Sequence, residues 1–247
     1  MLRSTALKAQ DVLVACKLYS LAEVVRPASD WTYSGLSGEL GISLSETYNS
    51  FERCCLAQLI VTVRDRRVVS KRHFYELLAV AVPRIFYAAR GGLEVGLPTS
   101  VYAPALRSKF EGVPGAIPSV WPCDHPVDRE DRRENSEGLR PEDRACGPLR
   151  PEGRVGDPLR PEGRACGPRV GDPLRPDLRV RGESISPIYP SAPEAAAQDS
   201  LLYELLALVD VIRIGDTRSR NLAVAILEKK ILGKGSQAQG FQDLSPQ

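Results

Sequence analysis

Ser45, Tyr48 and Asn49 fall at helical spacing, and a run of arginines follows them. Together they suit one chemistry, which is hydrogen bonding to base edges beside phosphate contact. Ser45 and Asn49 each present donor and acceptor on a short side chain, and an Asn amide matches the N6 and N7 edge of adenine. Tyr48 can reach a base edge or a phosphate. Ser43, which opens the same segment, is grouped with them as its cap. Arg53 lies near the far end, where a cation suits both the helix dipole and a phosphate. Arg64, Arg66 and Arg67, with Lys71 and Arg72 just after, form a local basic patch that would contact phosphates or a minor groove. The formal net charge is only +2, so any basic surface must be local in this way.

Other chemistries find little support. The chain has two histidines: His73 sits within the basic patch, and His125 belongs to Cys123-Asp124-His125, which offers two metal ligands without the rest of a set. There is no nucleophile elbow, phosphate-binding glycine loop, zincin motif or dinucleotide fingerprint. The six cysteines form no C-x-x-C pair and read as reduced, small apolar side chains, with a redox switch as the sharper alternative. No enzyme activity, cofactor or metal is therefore expected. No signal peptide or membrane span is evident, so the expectation is a cytoplasmic protein.

These side chains need elements to hold them. Leu7 to Val25 carries apolar residues at three- and four-residue steps and reads as a first helix, ended by Pro27. Thr32 or Ser34 caps a second, which closes at Glu39-Leu40-Gly41. Gly41 makes the tight turn, and Ser43 with Glu46 forms a capping box for a third helix over about Leu44 to Leu56. Thr47, Phe51 and Cys54 face its core, leaving Leu44, Ser45, Tyr48, Asn49 and Glu52 outward. Leu59 to Val63 is a strand, Arg64 to Arg66 a turn, and Arg67 to Val69 the returning strand. Three helices and a hairpin in that order read as a winged helix-turn-helix. A further helix runs from Lys71 to about Phe86, with Pro83 kinking or ending it.

The rest divides by composition. Residues 91–127 are apolar but broken by Gly and Pro, and read as an irregular ordered segment. Residues 128–183 repeat a decapeptide, Leu139 to Pro148, Leu149 to Pro158 and Leu159 to Pro168. Each unit offers one Leu among balanced charges and cannot bury a core, so the segment reads as a disordered insert. Residues 184–232 form a C-terminal helical segment. Asp199 or Ser200 caps a helix through Ile212 that is apolar on almost every side, and Asp216 caps another through Leu232. So apolar a helix needs partners on more than one side, which the fold's own core or a second subunit in a homodimer could provide. Residues 233–247 read as a disordered tail. The expected fold class is mainly α, with a winged helix over residues 5–90.

The opening Leu7 to Val14, the segment Leu40-Gly41-Ile42-Ser43-Leu44-Ser45-Glu46 and the helix after the wing resemble bacterial MarR-like winged-helix transcriptional regulators. The resemblance covers roughly residues 5 to 90. It implies a dimeric, sequence-specific binder of double-stranded DNA, usually a repressor. Gln58 departs from it, standing where such chains carry a glycine before the wing. The alternative is a protein-binding winged-helix module, antitoxin-like or an adaptor, that holds a neighbouring gene's product without touching DNA. Glu46 and Glu52 on the third helix favour that alternative.

Overall fold

Ten consecutive residues of the first helix, Asp11 to Ser20, are buried. This helix, α1 (Ala9–Val24), is therefore central rather than amphipathic, although its sequence alternates charge with apolar side chains. Two of those charges are buried and paired. Asp11 meets Arg53, and Lys17 lies 2.8 Å from Glu39 and 2.9 Å from Asp199. Buried charges persist only when paired in this way. The structure is a computed structural model that describes residues 6–24, 31–63, 66–110, 117–122 and 178–233, all within one unit of the chain. Helix makes up 61% and strand 17% of the described residues, so the fold is mainly helical.

Helices α2 (Tyr33–Leu40) and α3 (Leu44–Leu56) follow α1. Thr32 caps α2 by accepting from the Gly35 amide, as its residue type suggests. Gly41 ends it at φ 62°, a left-handed conformation that costs a side-chain-bearing residue about 1–2 kcal/mol. The turn is short because Ser37 donates to the Ile42 carbonyl and the Ile42 amide returns to Ser37. Strands β1 (Ile60–Val63) and β2 (Arg66–Val69) pair antiparallel, Ile60 opposite Val69 and Val63 opposite Arg66. The hairpin turn, with Arg64 and Asp65, lies outside the described residues.

Helix α4 (Lys71–Glu76) passes through a π-helical turn, Leu77–Ala81, into α5 (Val82–Ile85). Pro83 explains the irregularity. It has no amide hydrogen for the preceding turn, and the wider π turn makes room for its ring.

Residues 91–127 hold more regular structure than the sequence suggests. Strand β3 (Arg90–Pro98) pairs antiparallel with β4 (Ser119–Pro122) and with β5 (Val180–Ile185), while β4 and β5 pair in parallel. The three strands close on one another. Closure brings backbones so near that a Cβ on Gly96 would stand 2.0 Å from the Trp121 carbonyl oxygen. Val180 to Glu183, assigned from composition to the insert, belong to β5, which is a correction to its boundary. The decapeptide repeats themselves, and the tail from residue 234, lie outside the described residues.

Helices α6 (Ala192–Gln198), α7 (Ser200–Ile214) and α8 (Thr217–Leu232) complete the described chain. Asp199 caps α7 through the Leu201 and Leu202 amides, and Asp216 caps α8 through Ser219. The apolar girth of α7 is satisfied within the chain. Leu202, Tyr203 and Leu205 to Ile212 are all buried, in one continuous core with α1 residues Val12 to Cys16. Of the two ways to bury such a helix, the chain's own core supplies one. Asp199 joins the two parts of the chain further, since it also accepts from Lys17 and Ser20 on α1.

Candidate nucleic-acid interface

Helix α3 presents one face to solvent and locks the other down. Thr47, Ser50, Phe51, Arg53 and Cys54 are buried. Ser43, Leu44, Ser45 and Tyr48 are exposed, and Asn49 and Glu52 are half-buried. The expected reading side chains thus share the outer face.

Arg53 does not. It was expected at a phosphate, and the structure places it inside, with its side chain 8% exposed against a fully buried Asp11. Its Nε and Nη2 donate to the two Asp11 oxygens at 2.8 and 2.7 Å. The same Nη2 donates to Glu46 at 2.6 Å and to Ser50 at 3.0 Å. A planar guanidinium matches a carboxylate in two parallel bonds, and the fully buried Asp11 has a stronger claim on it than solvent has.

The capping box is half made. Ser43 Oγ accepts from the Glu46 amide, but the Glu46 carboxylate does not return to Ser43. It takes Arg53 and Gln10 instead, with the Lys8 ammonium 3.5 Å away, because charged donors outbid a single amide. One of the two glutamates that argued against an anionic partner is thus neutralised.

Burial opposes ionisation of Glu46, yet the bonds from Arg53 and Gln10 more than offset it and hold its carboxyl below the usual range. Asp199 behaves alike: burial raises it, and the Leu202 amide, Lys17 and Ser20 pull it down further. Both folded values lie below those of the unfolded chain. Their stabilisation is therefore complete above the unfolded carboxylate range of about 4 and is lost as pH falls through the folded values. The melting temperature is expected to stay level between about pH 7 and 5 on this account and to fall below about pH 4. A level melting temperature down to pH 3 would show that neither carboxylate is held ionised.

The hairpin leans on α3 through Arg67. Its guanidinium lies 4.9 Å from the Phe51 ring centroid and donates to the Tyr33 hydroxyl at 3.5 Å. Tyr33 packs edge-on against both Tyr48 and Phe51, and Trp31 tilts against Phe51. This aromatic cluster was not legible in the sequence, because its members come from three elements. The one signal was the density of rings at Trp31, Tyr33, Tyr48 and Phe51. At the hairpin base Gln58 adopts φ 57°, the conformation a glycine would take there. Its carbonyl accepts from His73 Nδ1 at 3.0 Å, so His73 fastens backbone. Replacing Gln58 by Gly is expected to stabilise the fold by about 0.5–1 kcal/mol, read as a higher urea midpoint. A lower midpoint would mean that the Gln58 side chain contributes more than its strain costs.

The basic patch is smaller than expected. Lys71 pairs with Glu23 at 2.8 Å and Arg72 with Glu76 at 3.1 Å. Arg66 has no ion-pair partner among the described residues, and Arg67 is held by a ring and a phenol rather than by a carboxylate. These two carry the uncompensated positive charge of the described hairpin. The ion pairs of Lys71 and Arg72 are exposed and worth at most about 1 kcal/mol each, so a phosphate could still displace either acid.

Two depressions lie nearby. One is open, mostly apolar, and lined by Tyr33, Leu44, Ser45, Tyr48 and Asn49. The other, of about 40 Å³ beneath the hairpin between Leu18, Trp31, Phe51 and Val69, has room for a few waters rather than for an effector. Burial pushes the Cys16 and Cys54 thiols well up, and Cys55 up as well, which opposes a thiolate switch at these three. No group of metal-binding side chains occurs among the described residues, and Cys123 to His125 lie outside them. No described helix is long and apolar enough to cross a membrane. No family model, curated protein or solved structure matches the chain.

Proposed function

We propose that the chain is a sequence-specific DNA-binding protein of the winged-helix kind, acting as a transcriptional regulator of the MarR-like type. Helix α3 enters the major groove and the hairpin meets the backbone. One observation carries this reading. The outer face of α3 exposes Ser43, Ser45 and Tyr48 beside Asn49, while its Arg53 and Phe51 fix the inner face to Asp11 of α1 and Arg67 of β2. A reading helix needs this division, since side chains can address base edges only from a backbone that does not shift.

The reading sets its own electrostatics. Counting only Arg66 and Arg67, the uncompensated cations of the described hairpin, the logarithm of the binding constant should fall against log salt with a slope of at least about −2 per chain in magnitude. Selection of duplexes from a random pool, followed by titration at several salt concentrations, tests this. Asn49→Ala should alter the preferred sequence, whereas Arg66→Ala should weaken all duplexes alike and reduce the slope by about 1. Failure to bind any duplex at low salt would overturn the proposal.

A second reading has its own support. Leu44 and Tyr48 leave an apolar strip on α3, with Leu44 54% and Tyr48 46% exposed. Such a strip also suits a protein partner, the antitoxin-like or adaptor role. Under that role Arg66→Glu would leave partner binding intact. Dimerisation enters as part of the first reading, because two-fold DNA sites call for two copies of α3.

A further inference from the structure

We propose that α3 selects A·T base pairs, with the apolar row Leu44 and Tyr48 packing on thymine methyl groups and Asn49 pairing with adenine. This rests on the DNA-binding reading and names what that face would recognise.

Leu44 and Tyr48 are four residues apart, as are Ser45 and Asn49, so α3 carries two adjacent rows. One row is carbon. The other is a hydroxyl and an amide. Both border the same open depression, whose wall is mostly apolar. The wall is held in place. Tyr33 meets Tyr48 edge-on with centroids 5.4 Å apart, and Arg67 holds the Tyr33 hydroxyl. A rigid apolar surface loses little freedom when a small apolar group settles on it.

The major-groove edges can be sorted against these rows. An A·T pair shows an acceptor and a donor on adenine, then an acceptor and a methyl group on thymine. The Asn49 amide satisfies adenine, and the carbon row meets the methyl. Guanine shows two acceptors, which call for the paired donors of an arginine or a lysine. The described α3 face has neither. Arg53, the only cation on this helix, is committed to Asp11 and Glu46. Arg67 is turned onto Phe51. Cytosine offers a donor that Glu52 could accept, but Glu52 lies a turn beyond Tyr48, away from the capped end that enters the groove first. The flanking charge of Arg66 and Arg67 matches a phosphate backbone, which favours a duplex over an apolar peptide on this strip.

The test uses the full chain and the duplex recovered by selection. Thymines in that site are replaced one at a time by deoxyuridine, which removes only the methyl group. The expected site is rich in A·T pairs. At one or two thymines deoxyuridine should lower affinity about three- to tenfold, the effect of losing one buried methyl group. A Leu44→Ala, Tyr48→Ala double variant should bind the thymine and deoxyuridine duplexes equally. Both side chains are about half exposed, so the variant should stay folded and lose only the Tyr33–Tyr48 ring contact, worth a few degrees of melting temperature, and circular dichroism checks that. A bound site with G·C pairs at the α3 positions, or equal affinity for the deoxyuridine duplexes, overturns this inference and leaves DNA binding standing. Failure to recover any bound duplex overturns both.

Discussion

Arg53→Ala is expected to destabilise the protein by about 3–5 kcal/mol, because it strands a carboxylate in the core. Asp11 is fully buried and takes a bond on each oxygen from Arg53, its charged partner, beside one from the Lys8 amide at 2.8 Å. Glu46 and Ser50 lose a partner at the same time. The pair also joins α1 to α3, so DNA binding should weaken through the position of α3 rather than through a lost phosphate contact. Urea denaturation reads the stability. A double variant separates the causes: Asp11→Leu with Arg53→Met replaces the pair by carbon of similar bulk and should recover most of the loss. If Arg53→Ala leaves the urea midpoint unchanged and only lowers DNA affinity, Arg53 is a phosphate contact after all and the buried pair does not govern stability.

Asp210→Ala should have an effect of similar size, about 3–5 kcal/mol, at the other end of the molecule. Asp210 and Arg213 lie 2.7 Å apart on α7, and each side chain is 2% exposed. One Asp210 oxygen also accepts from Thr99 at 2.8 Å and from the Trp121 indole at 2.6 Å. The Arg213 guanidinium continues to the carbonyls of Phe86, Tyr87 and Ser186. The Asp210–Arg213 pair therefore fastens Thr99, just after β3, and Trp121 of β4 through the carboxylate, and the segments after α5 and β5 through the guanidinium, to α7. Removal of Asp210 takes the carboxylate partner from the Arg213 guanidinium and one acceptor each from Thr99 and Trp121. Trp121 fluorescence should shift along with the loss of stability, since the indole loses its carboxylate. An unchanged urea midpoint would show that the Asp210 carboxylate does not govern how the three-stranded sheet is held to α7.

Local chemistry in the sequence made α2, the turn and α3 legible. Gly41, Thr32 and Ser43 act within three or four residues of themselves, so their residue types are enough to place them. The caps of α7 and α8 were readable for the same reason. The closed three-stranded sheet was not. β3 contains Gly91, Gly92, Gly96 and Pro98, which look like loop, and β5 lies more than fifty residues from β4, beyond the decapeptide repeats. Pairing over that separation has no local signature. The glycines that hid β3 are partly what lets its backbone approach β4.

Charged residues mark the limit most clearly. In the sequence Arg53, Lys71 and Arg72 read as cations open to phosphate, in or near a local basic patch on the hairpin and the residues after it, with Glu46 and Glu52 of α3 as opposing acids. The sequence determines which side chains carry charge and, through helical spacing, that Ser45, Tyr48 and Asn49 share a face. The tertiary structure decides which charges are left to meet a partner. Asp11 draws Arg53 inward, Arg53 takes Glu46, and Glu23 and Glu76 occupy Lys71 and Arg72. The reason is that an ion pair depends on distance in space, and Asp11 lies 42 residues from Arg53 along the chain but within hydrogen-bonding reach of it in the fold. What remains for recognition is a short polar and apolar face with two arginines beside it.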